Sequence, residues 1–207
     1  TEARFDDIVV RALDGEEPPT PDLDWVQWRV EDGGNGHWYA LVEADAPSWD
    51  DAHAGAEAAL PGDSHLVTVT SDAETDFLLT LLPIQPGGWW LGGYQDTGAT
   101  DYAEPAGGWR WVTGEPFGDY TNWRAGEPSG FIVDHGPENW LQIYTEPPLR
   151  GQWNDNWNVW PESWIDGYVV ESPVAPDGVE PPGPVPTEGL VAWYPFDGDA
   201  EDETGNG

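Results

Sequence analysis

Residues 89–94 read WWLGGY, an apolar and aromatic run without a charged side chain. Pro86 and two glycines precede this run, and Asp96 follows it shortly afterwards. Glycine, proline and aspartate interrupt regular structure and favour turns. A short aromatic run between such residues is typical of a β-strand, so we predict a strand here.

Two helices are predicted on the N-terminal side of this strand. Residues 48–51 read SWDD, which supplies a serine N-cap and acidic residues for a first turn, and an Ala-rich stretch then continues to Leu60. Residues 71–74 read SDAE, the pattern of a capping box, and begin the second helix. Its predicted apolar face consists of Ala73, Phe77, Leu78 and Leu81.

Short strands dominate the rest of this region. Residues 37–42 and 65–69 are predicted strands before the second helix, and no helical period survives after Pro83. The later predicted strands are residues 109–112, 139–144, 152–154 and 168–171. The order predicts an α+β domain in which two helices pack on small, largely antiparallel sheets, with a long loop region between strands.

The charge of the chain restricts its partners. Forty acidic residues stand against six arginines, there is no lysine, and the formal net charge is −34. Such a chain repels phosphate backbones and anionic lipid surfaces, so nucleic acid and membrane insertion are not expected. The charge fits a cation-rich extracellular medium, where ions screen the self-repulsion. No disulfide is possible because the chain has no cysteine.

Several motifs, in the right order, resemble the C-type lectin-like domain over about residues 34–172. They are WY at 38–39, SWDDA at 48–52, HLVTV at 65–69, WWLGG at 89–93, WRWVTGEP at 109–116, YTNW at 120–123, GEPS at 126–129, GQWND at 151–155 and GYVVE at 167–171. The paired cysteines of that family are absent, and Trp140 stands where one is expected. Core packing must therefore replace the disulfides.

The resemblance implies one calcium site. In the family, a Glu-Pro-Asn loop, a later acidic residue and a Trp-Asn-Asp strand supply oxygen ligands, and vicinal sugar hydroxyls complete the shell around the ion. The corresponding ligands here are Glu127, Ser129, Glu138, Asn154 and Asp155. Ser129 replaces the family's amide and is a poorer ligand with less reach. We also predict a cis peptide bond between Glu127 and Pro128.

The same residues are expected to bind a sugar. Glu127, Glu138, Asn154 and Asp155 would contact its hydroxyls through the calcium site, and Trp157 and Trp160 could stack on its apolar face. The alternatives are that these tryptophans fill the core and that the acidic residues form a solvated surface. A second calcium site is not expected, because Gly130 and Asn139 stand where acids would help.

The two ends of the chain suggest further domains. Residues 189–207 resemble the first strand of a laminin-G-like (concanavalin-like) jelly roll, and residues 5–10 resemble the last strand of one. The predicted organisation is an N-terminal segment at 1–31, the lectin-like domain at 32–173, a Pro-rich linker at 174–188 and the start of a jelly roll at 189–207. Isolated terminal strands could also mediate self-association, with disorder as the simpler alternative.

These observations lead to three functional hypotheses. The first is a secreted or cell-surface module that binds glycans or surface polysaccharide through calcium, for example in adhesion. The second is a structural or protein-binding module that keeps the fold without sugar binding. The third is an accessory domain of a secreted enzyme. The domain itself is not expected to be an enzyme, since no nucleophile motif appears and the four histidines have no zinc-ligand spacing.

Overall fold

The computed structural model describes residues 23–115, 117–130, 136–158 and 164–179. Two α-helices and eight strands form there, together with a short 3-10 helix at Val30–Asp32. In chain order they are β1 (Val26–Gln27), β2 (Trp38–Glu43), α1 (Trp49–Ala59), β3 (His65–Leu66), α2 (Asp72–Leu81), β4 (Gly88–Gln95), β5 (Trp109–Trp111), β6 (Trp140–Tyr144), β7 (Trp153–Asn156) and β8 (Ile165–Ser172).

The strands form one mixed, mostly antiparallel sheet. Its order is β1-β2-β8-β4-β6-β7, with β3 paired to β8 and β5 paired to β4. Strands β4 and β8 run parallel, and the other pairs of strands among the described residues are antiparallel. The α+β prediction, with two helices on a small sheet, is therefore confirmed.

Strand β4 is buried on both faces, which explains why its sequence is apolar throughout. Trp89 belongs to the core on one side of the sheet, and Trp90 belongs to the core on the side of α1. The two glycines permit close packing, since a Cβ atom on Gly92 would lie 2.5 Å from the Leu66 carbonyl oxygen. A Cβ atom on Gly93 would lie 2.6 Å from the Leu141 side chain.

The helix starts follow the predicted caps. The hydroxyl of Ser48 accepts a hydrogen bond from the Asp51 N–H at 3.0 Å, and that of Ser71 accepts one from the Glu74 N–H at 3.1 Å. The capping box is only half formed, because the Glu74 carboxylate accepts from the Thr70 N–H, one residue before the cap. The helices thus begin where their serine acceptors stand.

Two local predictions were wrong in detail. The buried residues of α2 are Glu74, Thr75 and Leu78, whereas Ala73 is exposed. The face is rotated because the Glu74 carboxylate accepts a hydrogen bond from the buried Tyr39 hydroxyl at 2.8 Å. The strand predicted for 65–69 ends at Leu66, since the Thr68 N–H donates to the Glu171 carboxylate instead of a strand partner.

The chain divides after Val174 into two units. In the second unit, the Val179 N–H donates to the Pro176 carbonyl oxygen at 3.1 Å. The strand-like segment 5–10, most of the predicted linker and the predicted jelly-roll start at 189–207 lie outside the described residues. No helix in the described part of the chain is long and apolar enough to cross a membrane.

Candidate functional site

The predicted site lies where the loop at residues 122–130 meets strand β7. The Trp153 N–H donates to the Asn122 carbonyl oxygen at 2.7 Å, and the Arg124 N–H donates to the Trp153 carbonyl oxygen at 2.9 Å. Beneath these bonds, the fully buried Trp153 ring makes edge-to-face contacts with Trp111 and Trp123. Aromatic packing therefore fixes the loop on the strand, without any disulfide.

The loop then turns through Glu127 and Pro128. The Glu127 N–H donates to the Arg124 carbonyl oxygen at 2.9 Å, and Gly126 takes a positive φ of 99°, which favours glycine. The peptide bond between Glu127 and Pro128 is cis, so this prediction is confirmed.

Asp155 is the centre of the polar contacts in this site. One carboxylate oxygen accepts from the Ser129 N–H at 3.0 Å, and the other accepts from the Gly130 N–H at 2.7 Å. The Ser129 hydroxyl donates to the carboxylate of Glu138 at 2.9 Å. Ser129 therefore links two of the predicted ligands, and both of those carboxylate side chains are buried.

The site concentrates negative charge away from water. Burial raises the pKa of Asp155 to about 6, and the nearby Glu127 charge adds to the rise, while the N–H groups of Gly130 and Ser129 oppose it. One carboxylate oxygen of Glu127, Oε2, is buried and has no hydrogen-bond partner. Buried acidic oxygens in this state favour a bound cation.

Asn154 lies at the edge of this group. Its side-chain oxygen accepts from the Tyr144 hydroxyl at 3.1 Å, and its side-chain nitrogen donates to the Asp155 carbonyl oxygen. The structure thus connects Ser129, Glu138 and Asp155 by hydrogen bonds and brings Glu127 close enough to affect the Asp155 pKa. Asn154 contacts the group through the Asp155 backbone.

The oxygen atoms of this site match the ligand preferences of calcium in type. Its carboxylate, amide and hydroxyl oxygens are the hard ligands that calcium takes, and the unpartnered Glu127 oxygen is available. Among the described residues, however, no three His, Asp or Glu side chains already stand close enough to hold one ion. The chemistry fits calcium, and the carboxylates would have to exchange their present N–H and hydroxyl partners for it.

A groove of about 260 Å³ adjoins Asn154. It contains Trp157, one of the two predicted sugar-stacking residues, whose ring N–H donates to the Gly136 carbonyl oxygen at 2.9 Å. The other, Trp160, lies outside the described residues. The remaining lining residues are Gly87, Arg124, Gln142, Tyr144, Glu146, Leu149, Asn156 and Trp164.

Sequence reasoning missed most of this groove. Gln142 pairs with Asn154 across β6 and β7, and Trp140 pairs with Asn156. Side chains alternate between the faces of a strand, so Gln142 and Tyr144 share the face of Asn154. That alternation was a usable signal within β6, but the register with β7 was needed to apply it. Nothing in the sequence separated Arg124 from other loop residues.

Comparison with known proteins gives two partial sequence matches. No protein-family model matches the chain. Halomucin from Haloquadratum walsbyi is 31% identical over 153 residues, which cover 66% of this chain and 1% of halomucin. Collectin-43 from Bos taurus is 51% identical over 37 residues, which cover 18% of this chain and 10% of that protein. The matched stretches are thus small parts of both relatives.

Solved structures define the class of fold. The mouse scavenger receptor C-type lectin carbohydrate-recognition domain matches with a TM-score of 0.53 and 23% identity, over 76% of this chain and 98% of that domain. The cow CD23 carbohydrate-recognition domain, studied in the presence of a GlcNAc2Man3 oligosaccharide, matches with a TM-score of 0.52 and 24% identity. The match covers 75% of this chain and 95% of that domain. SPL-1 in complex with GlcNAc matches with a TM-score of 0.52 and 20% identity, over 75% of this chain and 98% of that chain. The chain has the C-type lectin-like fold.

Proposed function

We propose that this chain is a calcium-dependent glycan-binding module of a larger secreted or cell-surface protein. The observation that carries the proposal is the buried acidic site, in which Glu127 Oε2 has no partner and the pKa of Asp155 is raised to about 6. Two structural neighbours, the CD23 domain in the presence of an oligosaccharide and SPL-1 in complex with GlcNAc, support glycans as the partner. We propose no catalytic role for the domain.

Calcium would be held by Glu127, Glu138, Asn154 and Asp155, with Ser129 as a weak fifth ligand. When bound, the ion supplies positive charge to which paired sugar hydroxyls can add as ligands. The chain's own contribution is to hold the oxygens in place: the aromatic cluster under Trp153 fixes the loop, and the N–H groups of Ser129 and Gly130 orient Asp155. Trp157 offers apolar surface beside Asn154.

Calcium titration by calorimetry tests the proposal. The purified chain should bind one calcium saturably, and D155N and E127Q should each weaken binding at least about tenfold, since each removes a charged ligand. D63N is the matched control, because Asp63 is an exposed acid just after α1 and should not matter. S129N should strengthen binding, because an amide oxygen reaches further than a hydroxyl.

For E127Q, we expect thermal stability without calcium and calcium affinity to change in opposite directions. Removing the charge of the partly buried Glu127 relieves its repulsion of the buried Asp155 carboxylate, so E127Q should raise the thermal midpoint in chelator while weakening calcium binding. A glycan array with calcium and with chelator then tests sugar binding. Heat signals that do not saturate at millimolar calcium would contradict the site.

A second candidate function is a structural or protein-binding module without sugar binding. It is favoured by Ser129, whose backbone and hydroxyl already supply partners to Asp155 and Glu138 without an ion. In that case calcium would leave stability unchanged, and no glycan on the array would bind. The proposed domain limits of 32–173, a linker at 174–188, a jelly-roll start at 189–207 and self-association through terminal strands remain separate proposals.

A further inference from the structure

The groove beside Asn154 combines apolar rings with polar side chains. Its volume of about 260 Å³ suits one or two sugar rings, and it is formed by β6, β7 and the turn that carries Arg124. Trp164 lines it with 62% of its surface exposed, although most tryptophans of the described chain are buried. Exposed rings in a groove provide flat apolar surface, which matches the C–H faces of sugars.

Arg124 is unusual among the four arginines that the structure describes. The Arg29 guanidinium binds Asp32 at 2.7 Å, Arg110 pairs with Asp101, and Arg150 donates to four backbone carbonyl oxygens. Arg124 instead lies 4.0 Å from Glu127 Oε1, and its side chain is 43% exposed. A positive side chain on the groove of such an acidic protein is thus only weakly neutralised.

The neighbours of Arg124 hold it at the groove. Its guanidinium lies over the Tyr144 ring, 6.0 Å from the centroid, and the Tyr144 hydroxyl in turn donates to Asn154. An arginine on an aromatic ring keeps its N–H groups directed outward for a carboxylate, which it can bind with two parallel hydrogen bonds. The groove therefore presents a carboxylate receptor next to a proposed calcium ligand.

Glu146 restricts the ligand further. It lines the same groove, so a densely anionic polymer would meet a like charge there. A ligand with no more than one carboxylate per hydroxylated ring and no sulfate groups satisfies Arg124, the exposed Trp164 and Glu146 together.

We propose that this groove is a subsite for acidic saccharides of the uronate type, in which Arg124 pairs with the sugar carboxylate and Trp164 and Trp157 contact the ring. The inference rests on the proposed glycan-binding function and names the class of glycan.

The test compares two probes that differ only at C6: a β-1,4-linked triglucuronate and cellotriose. In calorimetry with calcium and 0.15 M salt, the full chain should bind triglucuronate at least about tenfold more tightly, the scale of one charge-assisted pair. R124Q should abolish this preference, so that triglucuronate and cellotriose bind with similar affinity. R110Q is the matched control, because Arg110 pairs with Asp101 outside this groove.

Two further measurements, on the W164A variant and on a sulfated probe, distinguish failure of this inference from failure of the proposed function. W164A should weaken both trisaccharides, since stacking does not sense the carboxylate, and a heparin tetrasaccharide should bind less tightly than triglucuronate. Equal affinity for the two trisaccharides, an equal loss of both in R124Q, or tighter binding of the sulfated probe would overturn this inference alone. If no glycan binds with calcium on the array, the proposed function and this inference both fail.

Discussion

Single side chains decide how the buried acids of this domain are satisfied. Glu171 is 2% exposed and accepts hydrogen bonds from the Thr68 N–H at 2.9 Å and from the Tyr39 hydroxyl at 3.3 Å. His37 Nδ1 lies 2.7 Å from the same carboxylate. The hydrogen bond to Glu171 raises the pKa of His37, and the charges of Glu74 and Glu115 add to the rise.

This contact makes stability depend on pH in a definite direction. A histidine whose folded pKa exceeds the unfolded value near 6.5 stabilises the fold fully below that value, and the contribution is lost as pH rises through the folded pKa. The groups around His37 are Glu171 on β8, Glu74 on α2, Glu115 in a loop and His65 on β3, itself 3.9 Å from Glu171.

We expect H37Q to lower the free energy of unfolding more at pH 5.5 than at pH 9. The difference should be at most about 1 kcal/mol, because the imidazole is partly exposed and solvent screens its charge. Urea unfolding of both proteins at several pH values measures it, and the raised pKa values of Glu74 and Asp155 cancel in the comparison. A gap that is constant or widens with pH would contradict the prediction.

The site residues show what sequence could and could not predict at this scale. Ser129, Glu138 and Asp155 were recognised by resemblance, and the structure joins them by hydrogen bonds. Arg124 was not recognised, because what distinguishes it is an absence: it lacks the close carboxylate partner that Arg29 and Arg110 have. This property depends on which residues lie nearby in the folded structure, and no sequence pattern indicates it.

At the scale of elements, local sequence patterns predicted the helices and most strands correctly, and tertiary contacts changed where some of these elements end. The serine caps and the short aromatic runs predicted both helices and most strands. The small strand β1 was missed, and the parallel pairing of β4 with β8 could not be inferred, since strand order follows from packing of the whole domain. The exposed Ala73 shows the same limit within one helix.

The N-cap of α2 is testable by itself. S71A removes the acceptor for the Glu74 N–H and should destabilise the domain by about 1 kcal/mol. S71N keeps an acceptor at the cap and should stay within a few tenths of a kcal/mol of the parent protein, as expected for a good N-cap residue. Thermal and urea unfolding of the three proteins measure this, and equal destabilisation by alanine and asparagine would show that the cap is not responsible.

At the scale of the whole molecule, charge dominates. A formal net charge of −34 in 207 residues produces self-repulsion that favours expanded states, and few arginines are present to offset it. In the described part of the chain, the aromatic cores on both sides of β4 offset this repulsion. The ion pairs contribute little, because most of them are exposed and weak. Stability should therefore depend on how well the medium screens charge.

We expect the thermal midpoint to rise by several degrees between 0.1 M and 1 M NaCl, because the screening length falls from about 10 Å to about 3 Å. The measurement is made with chelator present, so that calcium binding does not contribute. Sucrose at matched osmolality controls for the general stabilisation of compact states by excluded solutes. A triple variant, E57Q/D63N/D76N, removes three exposed charges on or next to the helices. It should be more stable in low salt and show a shallower rise, whereas an equal slope in both proteins would mean that salt acts by some route other than screening of this charge.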